Sequence, residues 1–236
     1  MIDRLTFLLL LCLTACVSST SAPVPTEMIS MPPIRYLALG DSYTIGESVS
    51  EADRWPNQLA LRLNDRGYKT EVTIIAQTGW TTQELAEGIR VANPRGKYDL
   101  VTLLIGVNNQ YRGQAVETYR QEFRGLLSQA IGFAGRDVDR VIVLSIPDWG
   151  FTLFAARADT AKISSEIDTF NAVNRDESAL AGVRYVDVTP ITRRGLSDPA
   201  LLAVDGLHPS GAMYALWVDL VLPEVIAVLK QGMDSN

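Results

Sequence analysis

The chain has 236 residues, of which 47% are hydrophobic, and a formal net charge of −6 with a single histidine. An acidic chain without a basic cluster argues against a nucleic-acid partner, because phosphate binding needs clustered lysine and arginine. The length and the apolar fraction suit one well-buried globular domain.

The amino-terminal segment is typical of a signal peptide. Residues 5–15 are almost wholly apolar, too short for a membrane-spanning helix of about 20 residues but of the length of a signal-peptide core. The sequence Leu-Thr-Ala-Cys at residues 13–16 resembles the lipobox of bacterial lipoproteins, in which the cysteine becomes the first, lipid-carrying residue. The alternative is an ordinary secretory signal with an incidental cysteine.

A spacer follows this segment. Residues 17–33 are rich in serine, threonine and proline and show no hydrophobic period, which indicates a flexible tether. We therefore expect a signal peptide over 1–15, a tether over 16–33 that is lipid-anchored through Cys16, and one domain over 34–236. The lipid would hold the protein on a membrane of the bacterial cell envelope. Val17 after the cysteine resembles outer-membrane lipoproteins, so we expect the outer membrane or the periplasmic face.

Strand and helix patterns alternate along the domain. In chain order we predict a strand over 34–39, a helix over 55–66, a strand over 71–76, a helix from 81 or 82 towards 89, a strand over 100–105, a helix over 116–131, a strand over 140–146, a helix over 163–180, a strand over 183–188 and a helix over 210–230. This alternation predicts a parallel sheet between layers of helices.

Polar, glycine-containing segments follow four of the predicted strands. They occupy residues 40–42, 77–79, 106–109 and 147–150. Because parallel sheets bind ligands beyond the carboxyl ends of their strands, these segments should gather at one edge. Residues 205–208, just before the last helix, can reach the same edge.

The residue types at this edge suit acyl transfer. A serine hydroxyl needs a base to become a nucleophile, and His208, the only histidine, can serve Ser42. Asp205 lies three residues earlier and can orient the imidazole through its Nδ1 proton. The N–H groups of Gly79 and Ser42 and the amide of Asn108 can stabilise an oxyanion.

Four sequence blocks together resemble the SGNH (GDSL-type) hydrolase family. They are Gly40-Asp41-Ser42, Gly79, Gly106-x-Asn108 and Asp205-x-x-His208. The resemblance implies a flavodoxin-like three-layer α/β/α sandwich with a five-stranded parallel sheet. It also implies that Ser42 is the nucleophile, that Asp205 and His208 complete a triad, and that Ser42, Gly79 and Asn108 form the oxyanion hole. We expect no cofactor, and a lone histidine cannot build a usual zinc site.

The chain departs from the family's usual blocks at two positions. Tyr43 follows the serine in place of leucine, which leaves the mechanism intact. Asn109 replaces an aspartate, which puts any role of that acidic position in doubt. Candidates for lining the substrate site are Tyr43, Asn109, Tyr111, Trp149 and Phe151. The alternative for Tyr111 is an exposed loop, and the alternative for Trp149 and Phe151 is ordinary packing.

The resulting prediction is a serine esterase that works through an acyl-enzyme. Family substrates are short-chain acyl esters, lysophospholipids, thioesters and sugar O-acetyl groups, and the sequence does not choose among them. One alternative is an acyl or acetyl transferase acting on envelope glycans. Another is a non-catalytic envelope protein that binds glycans or a partner on the same fold.

Overall fold

A computed structural model of the chain describes the backbone of residues 32–234 and the side chains of residues 32–230. The predicted signal peptide, Cys16 and all but the last two residues of the predicted tether lie outside these described residues. The first strand begins at Ile34.

The centre of the fold is a five-stranded sheet in which every pairing is parallel, as the sequence predicted. The spatial order is β2-β1-β3-β4-β5. The strands are β1 Ile34–Gly40, β2 Thr70–Ala76, β3 Leu100–Leu104, β4 Val141–Leu144 and β5 Arg184–Val186. The chain reverses its direction of travel across the sheet between β1 and β3, which is where such sheets bind ligands.

Helices cover both faces of the sheet and complete the three layers. The helices are α1 Ser42–Ile45, α2 Trp55–Asn64, α3 Thr82–Ala92, α4 Val107–Tyr111, α5 Val116–Phe133, α6 Thr160–Ala181, α7 Thr189–Thr192 and α8 Gly211–Asp234. Helices α2 and α8 pack together, whereas α5 contacts both α3 and α6. The observed architecture confirms the predicted α/β/α fold.

Local sequence explains where the main elements begin and end. All five residues of β3 are buried, as expected for a strand that is covered on both faces. Helix α3 begins with a capping box between Thr81 and Glu84. Helix α6 begins at the Asp159 cap and ends at Gly182, which adopts the left-handed conformation.

The predicted bounds differ from the observed ones mainly at β4 and β5. The predicted strand over 140–146 is shortened to Val141–Leu144, because Val138–Arg140 form a 3₁₀ turn and the Ile146 N–H donates to the side chain of Asn171 at 2.7 Å. The last strand is three residues long rather than six. Helices α1, α4 and α7, each of four or five residues, were not predicted.

Helix α8 is unusually apolar for a surface helix. By length and composition alone Gly211–Lys230 could cross a membrane, but half of that stretch is buried inside the fold. Tyr214, Trp217, Val218 and Val221 are fully buried. This burial makes α8 a core helix.

Candidate active site

Ser42 lies directly beyond the carboxyl end of β1, at the first residue of α1. The preceding Asp41 caps this helix, since its Oδ1 accepts the Tyr43 N–H at 3.0 Å. A Cβ at Gly40 would lie 2.1 Å from the Thr44 hydroxyl oxygen and 2.6 Å from the Leu104 carbonyl oxygen. Only glycine therefore allows the sharp strand-to-helix turn that presents Ser42.

Asp205 and His208 form a close pair on the loop before α8. The Nδ1 atom of His208 lies 2.7 Å from Asp205 Oδ2. Burial opposes ionisation of Asp205, but hydrogen bonds from Ser48, His208 and the Leu207 N–H outweigh it and hold the pKa of that carboxyl well below its usual range. An ionised carboxylate only accepts hydrogen bonds, so Nδ1 carries the proton and Nε2 is left as the basic nitrogen.

The backbone of this loop fixes the Asp205–His208 spacing. Oδ1 of Asp205 accepts the N–H groups of Leu207 at 2.9 Å and of His208 at 3.0 Å. Gly206 between them has a φ of 68°, a value that favours glycine. An antiparallel bridge between Leu202 and Pro209 closes the loop. The spacing of three residues therefore lets the Asp205 carboxylate fold back and accept hydrogen bonds from its own turn.

Tyr43 joins the serine helix to the histidine. Its ring centroid lies 5.1 Å from that of His208 and 6.5 Å from that of Trp217 on α8. The Tyr43 side chain is buried, and burial, with the charge of Asp41 adding to it, raises the pKa of its hydroxyl well above the usual value. Tyr43 therefore remains neutral and acts as a packing surface beneath the imidazole.

Ser42 and His208 line a single cavity of about 200 Å³. Its other lining residues are mainly apolar or aromatic: Tyr43, Val107, Asn108, Tyr111, Trp149, Phe154 and Leu207. Among the described residues no hydrogen bond joins the Ser42 hydroxyl to His208; catalytic hydrogen bonds are often long before substrate binds. Within the same residues, no group of three or more His, Cys, Asp or Glu side chains could hold a metal ion.

The predicted oxyanion donors follow β1, β2 and β3: Ser42 begins α1, Gly79 lies in the turn after β2, and Asn108 lies in α4. Asn108 Nδ2 donates one hydrogen to the Trp80 carbonyl at 3.0 Å, which leaves its second N–H for a ligand. Gly79 has a φ of 85°, and its carbonyl accepts from Arg112 at 2.6 Å. Neither Gly79 nor Ser42 donates its backbone N–H to another described residue. Gly79 does not line the cavity wall.

The Trp80 carbonyl, which accepts the hydrogen bond from Asn108, is held in place by the packing of the Trp80 ring. A Cβ at Gly88 would lie 2.2 Å from the Trp80 ring, so only glycine allows the indole to lie against α3. The Thr78 hydroxyl donates to the Glu47 carboxylate and so ties this loop to the segment after α1. Hydrogen bonds therefore join the segments that follow β1, β2 and β3.

Asn109 does not line the cavity, contrary to the prediction. Its side chain is buried and turned towards α3, where Oδ1 accepts the Thr82 N–H at 3.1 Å and Nδ2 donates to the Thr82 hydroxyl at 2.6 Å. Nδ2 also donates to Gln114. Thr82 and Gln114 both donate to Glu122, so a second carboxylate at position 109 would face an existing one. The amide thus suits this network better than the usual aspartate.

Phe151 is also absent from the cavity lining, and Phe154 occupies that wall instead. Two short 3₁₀ turns, Trp149–Phe151 and Leu153–Ala155, carry Phe154 to the cavity. Trp149 packs edge-on against Tyr111 at 5.4 Å and against Phe154 at 6.0 Å between ring centroids. Its indole N–H donates to Gln110 Oε1 at 2.8 Å.

Comparison with known proteins places the chain in a family. The model of the GDSL-like Lipase/Acylhydrolase family matches residues 38–216. The chain belongs to this family. It is therefore a serine hydrolase that acts on ester bonds. A comparison with curated protein sequences found no match.

Solved structures share the fold of this GDSL-like hydrolase at low sequence identity. The structure of TesA has a TM-score of 0.65 at 20% identity and covers 82% of this chain and 99% of its own. A lipase/acylhydrolase from Enterococcus faecalis gives 0.62 at 21%, covering 81% and 95%. The acetylxylan esterase Axe2 from Geobacillus stearothermophilus gives 0.62 at 19%, covering 81% and 94%.

Asp41, the residue before Ser42, is a carboxyl whose pKa is strongly raised in this GDSL-like hydrolase. The side chain is fully buried, and burial raises its pKa to about 7 although the Tyr43 N–H opposes the shift. Its Oδ2 has no hydrogen-bond partner among the described residues. The folded state therefore retains a proton that the unfolded state releases near pH 4, so this group stabilises the fold at acidic pH and loses that contribution as the pH rises to 7.

We predict that Asp41→Asn raises stability at pH 8 but not at pH 4. The amide keeps the cap acceptor and removes the buried charge, and the gain at pH 8 should be at most on the order of 4 kcal/mol. Urea unfolding of both proteins between pH 4 and pH 8 measures the difference. Asp159→Asn, the same change at the exposed cap of α6, is the control for the substitution itself; it removes no buried charge and should show no gain of that size at pH 8. A pH-independent difference for Asp41→Asn would contradict the prediction.

Proposed function

We propose that this GDSL-like hydrolase cleaves carboxylic esters through a Ser42–His208–Asp205 triad and an acyl-enzyme. The observation that carries the proposal is the 2.7 Å Asp205–His208 hydrogen bond, which leaves His208 Nε2 for a cavity that Ser42 and Asn108 also line. In the first step Nε2 takes the Ser42 proton while Oγ attacks the ester carbonyl carbon. The carbonyl oxygen becomes an oxyanion.

The oxyanion is stabilised by donors that make no other hydrogen bond with the N–H in question. The second N–H of Asn108, the Ser42 N–H and the Gly79 N–H are uncommitted within the described structure. Each such donor typically contributes a factor of about 10²–10³ to the rate. The protonated His208 then gives its proton to the leaving alcohol, and the Ser42 acyl ester remains. Water, deprotonated by His208, releases the acid and restores the hydroxyl.

The cavity favours an uncharged, apolar acyl group. His208 is the only titratable side chain of the lining apart from the two tyrosines. Phe154 and Tyr111 are 53% and 58% exposed, so the aromatic wall continues from the cavity to the surface. An acyl chain longer than the cavity would cover these rings and gain the free energy of apolar burial. We therefore propose that acyl esters longer than acetyl are preferred substrates.

We further propose that a lipid on Cys16 anchors this hydrolase in the bacterial cell envelope, on the outer membrane or the periplasmic face. The lipobox-like residues 13–16 and the tether over 17–33 support this proposal. The tether would leave the domain free to reach esters near the membrane surface.

Ser42→Ala should lower kcat for p-nitrophenyl butyrate by about 10⁴-fold or more, because the nucleophile is lost while the fold remains. A fluorophosphonate probe should label the wild-type protein at Ser42 and not label the variant. Unchanged circular dichroism and thermal unfolding control for folding. Retained turnover or labelling in the variant would sink the triad assignment.

Phe154→Ala should reduce kcat/KM for p-nitrophenyl octanoate about fivefold relative to the acetate, because a long acyl chain loses an apolar contact worth about 1 kcal/mol. Initial rates over a series of chain lengths measure this ratio. Leu180→Ala removes an exposed apolar side chain of α6 that does not line the cavity, and it should leave the ratio unchanged. A ratio that rises in Phe154→Ala would show that the ring limits chain length instead.

Full-length protein expressed in bacteria should incorporate radiolabelled palmitate and sediment with membranes. Cys16→Ala removes the only thiol that can carry the lipid after signal cleavage, so its label should be absent. Cys12→Ala is the matched control and should label like the wild type. Equal labelling of the Cys16 variant would contradict the anchoring proposal.

A further inference from the structure

Ser48 lies outside the four family-like sequence blocks but contacts the proposed triad. Its hydroxyl donates to Asp205 Oδ2 at 2.6 Å. The same oxygen accepts the His208 Nδ1 proton at 2.7 Å. With Oδ1 engaged by two backbone N–H groups, the Asp205 carboxylate accepts four hydrogen bonds. Ser48 provides the only one of these that comes from outside the Asp205–His208 loop.

The backbone at Ser48 is held in an uncommon conformation. Its φ is 64°, and only two other non-glycine residues of the described chain, Asn93 and Arg136, have a positive φ. Serine gains nothing from this left-handed region and pays free energy for it. Strain of this kind persists where the surrounding structure imposes it, and here it aims the hydroxyl at Asp205.

The segment that carries Ser48 is tied to the nucleophile. The Ser42 carbonyl accepts the N–H groups of Gly46 and Glu47, each at 3.0 Å. The Glu47 carboxylate accepts the Thr78 hydroxyl from the loop that contains Gly79. A rigid turn of seven residues, from Ser42 to Ser48, therefore joins the nucleophile at one end to the carboxylate partner of His208 at the other.

We propose that Ser48 is a positioning residue that fixes the Asp205 carboxylate, and through it His208, relative to Ser42. This proposal rests on the proposed roles of those three residues. Ser48 does not line the cavity and so does not touch the substrate. Its hydroxyl also donates a hydrogen bond to the negatively charged Oδ2, which would otherwise interact with the imidazole alone.

Loss of the hydroxyl should have two separable effects. A freer Asp205 side chain holds His208 less well, which lowers kcat but leaves KM unchanged. An Oδ2 that accepts one hydrogen bond fewer stabilises the protonated imidazole more, so the acidic limb of the kcat/KM profile moves to higher pH. The other ionisable groups whose charges act on this region are Asp41, Glu47, Asp148, Tyr43 and Tyr214. They are the same in every variant and cannot cause a difference.

The experiment compares Ser48→Ala, Ser48→Gly and Ser50→Ala in the full chain with a soluble p-nitrophenyl ester across pH 5–9. Ser48→Ala removes the hydroxyl and keeps the strain, whereas Ser48→Gly removes both. Ser50 is the matched control, because its hydroxyl donates to Asp53 at 2.6 Å in the same loop but away from the triad. Thermal unfolding verifies that each variant is folded.

We expect both Ser48 variants to lose about tenfold in kcat, as for a lost hydrogen bond to a charged group, with an unchanged KM and a displaced acidic limb. Ser50→Ala should match the wild type. Wild-type kcat in either Ser48 variant, or a loss of kcat without displacement of the limb, would overturn the positioning role. Activity retained in Ser42→Ala would instead overturn the proposed triad, so the two failures are distinguishable.

Discussion

The Asp205 carboxylate is the point on which the geometry of this site depends. This carboxylate is only partly buried, and four donors hydrogen-bond it, which keeps it ionised and in one orientation. Three come from the Asp205–His208 loop itself and set the spacing of the pair. The fourth comes from Ser48, on the segment that also carries Ser42. One charged group thereby fixes a histidine before the last helix against a serine after the first strand.

The proposed oxyanion side of the site is built differently, from neutral amides and close packing. Asn108 is oriented by the Trp80 carbonyl, and Trp80 is seated against Gly88. Asn109, its neighbour on α4, clamps the start of α3 through Thr82. Neutral donors held in place by neighbouring elements need no reorganisation when charge develops on the substrate. On the proposed acid–base side a charged carboxylate orients His208, whereas on the proposed oxyanion side packed neighbours hold a neutral amide.

The sequence predicted the residues whose chemistry and spacing are local. Asp205 and His208 share one turn, and Ser42 follows an apolar strand, so their placement could be inferred from the alternation of strands and helices. Ser48 carries no such signal, because its contact with Asp205 joins residues 157 positions apart. The sequence predicted Phe151 in the cavity wall, whereas the structure has Phe154 there. Short 3₁₀ turns have no hydrophobic period that would show which ring faces inward. Tertiary packing decided both.

Asp41 shows why the serine turn tolerates a buried ionisable group. Its Oδ1 accepts the Tyr43 N–H at 3.0 Å, a role that an uncharged cap could also fill without the desolvation cost. The carboxyl reaches that N–H and orders the first turn of α1, where Tyr43 also supports His208. Its raised pKa means that the group accepts a proton near neutral pH instead of forcing a full charge into the core. Ser42, the proposed nucleophile, therefore lies beside a cap that orders its turn and lowers stability at high pH.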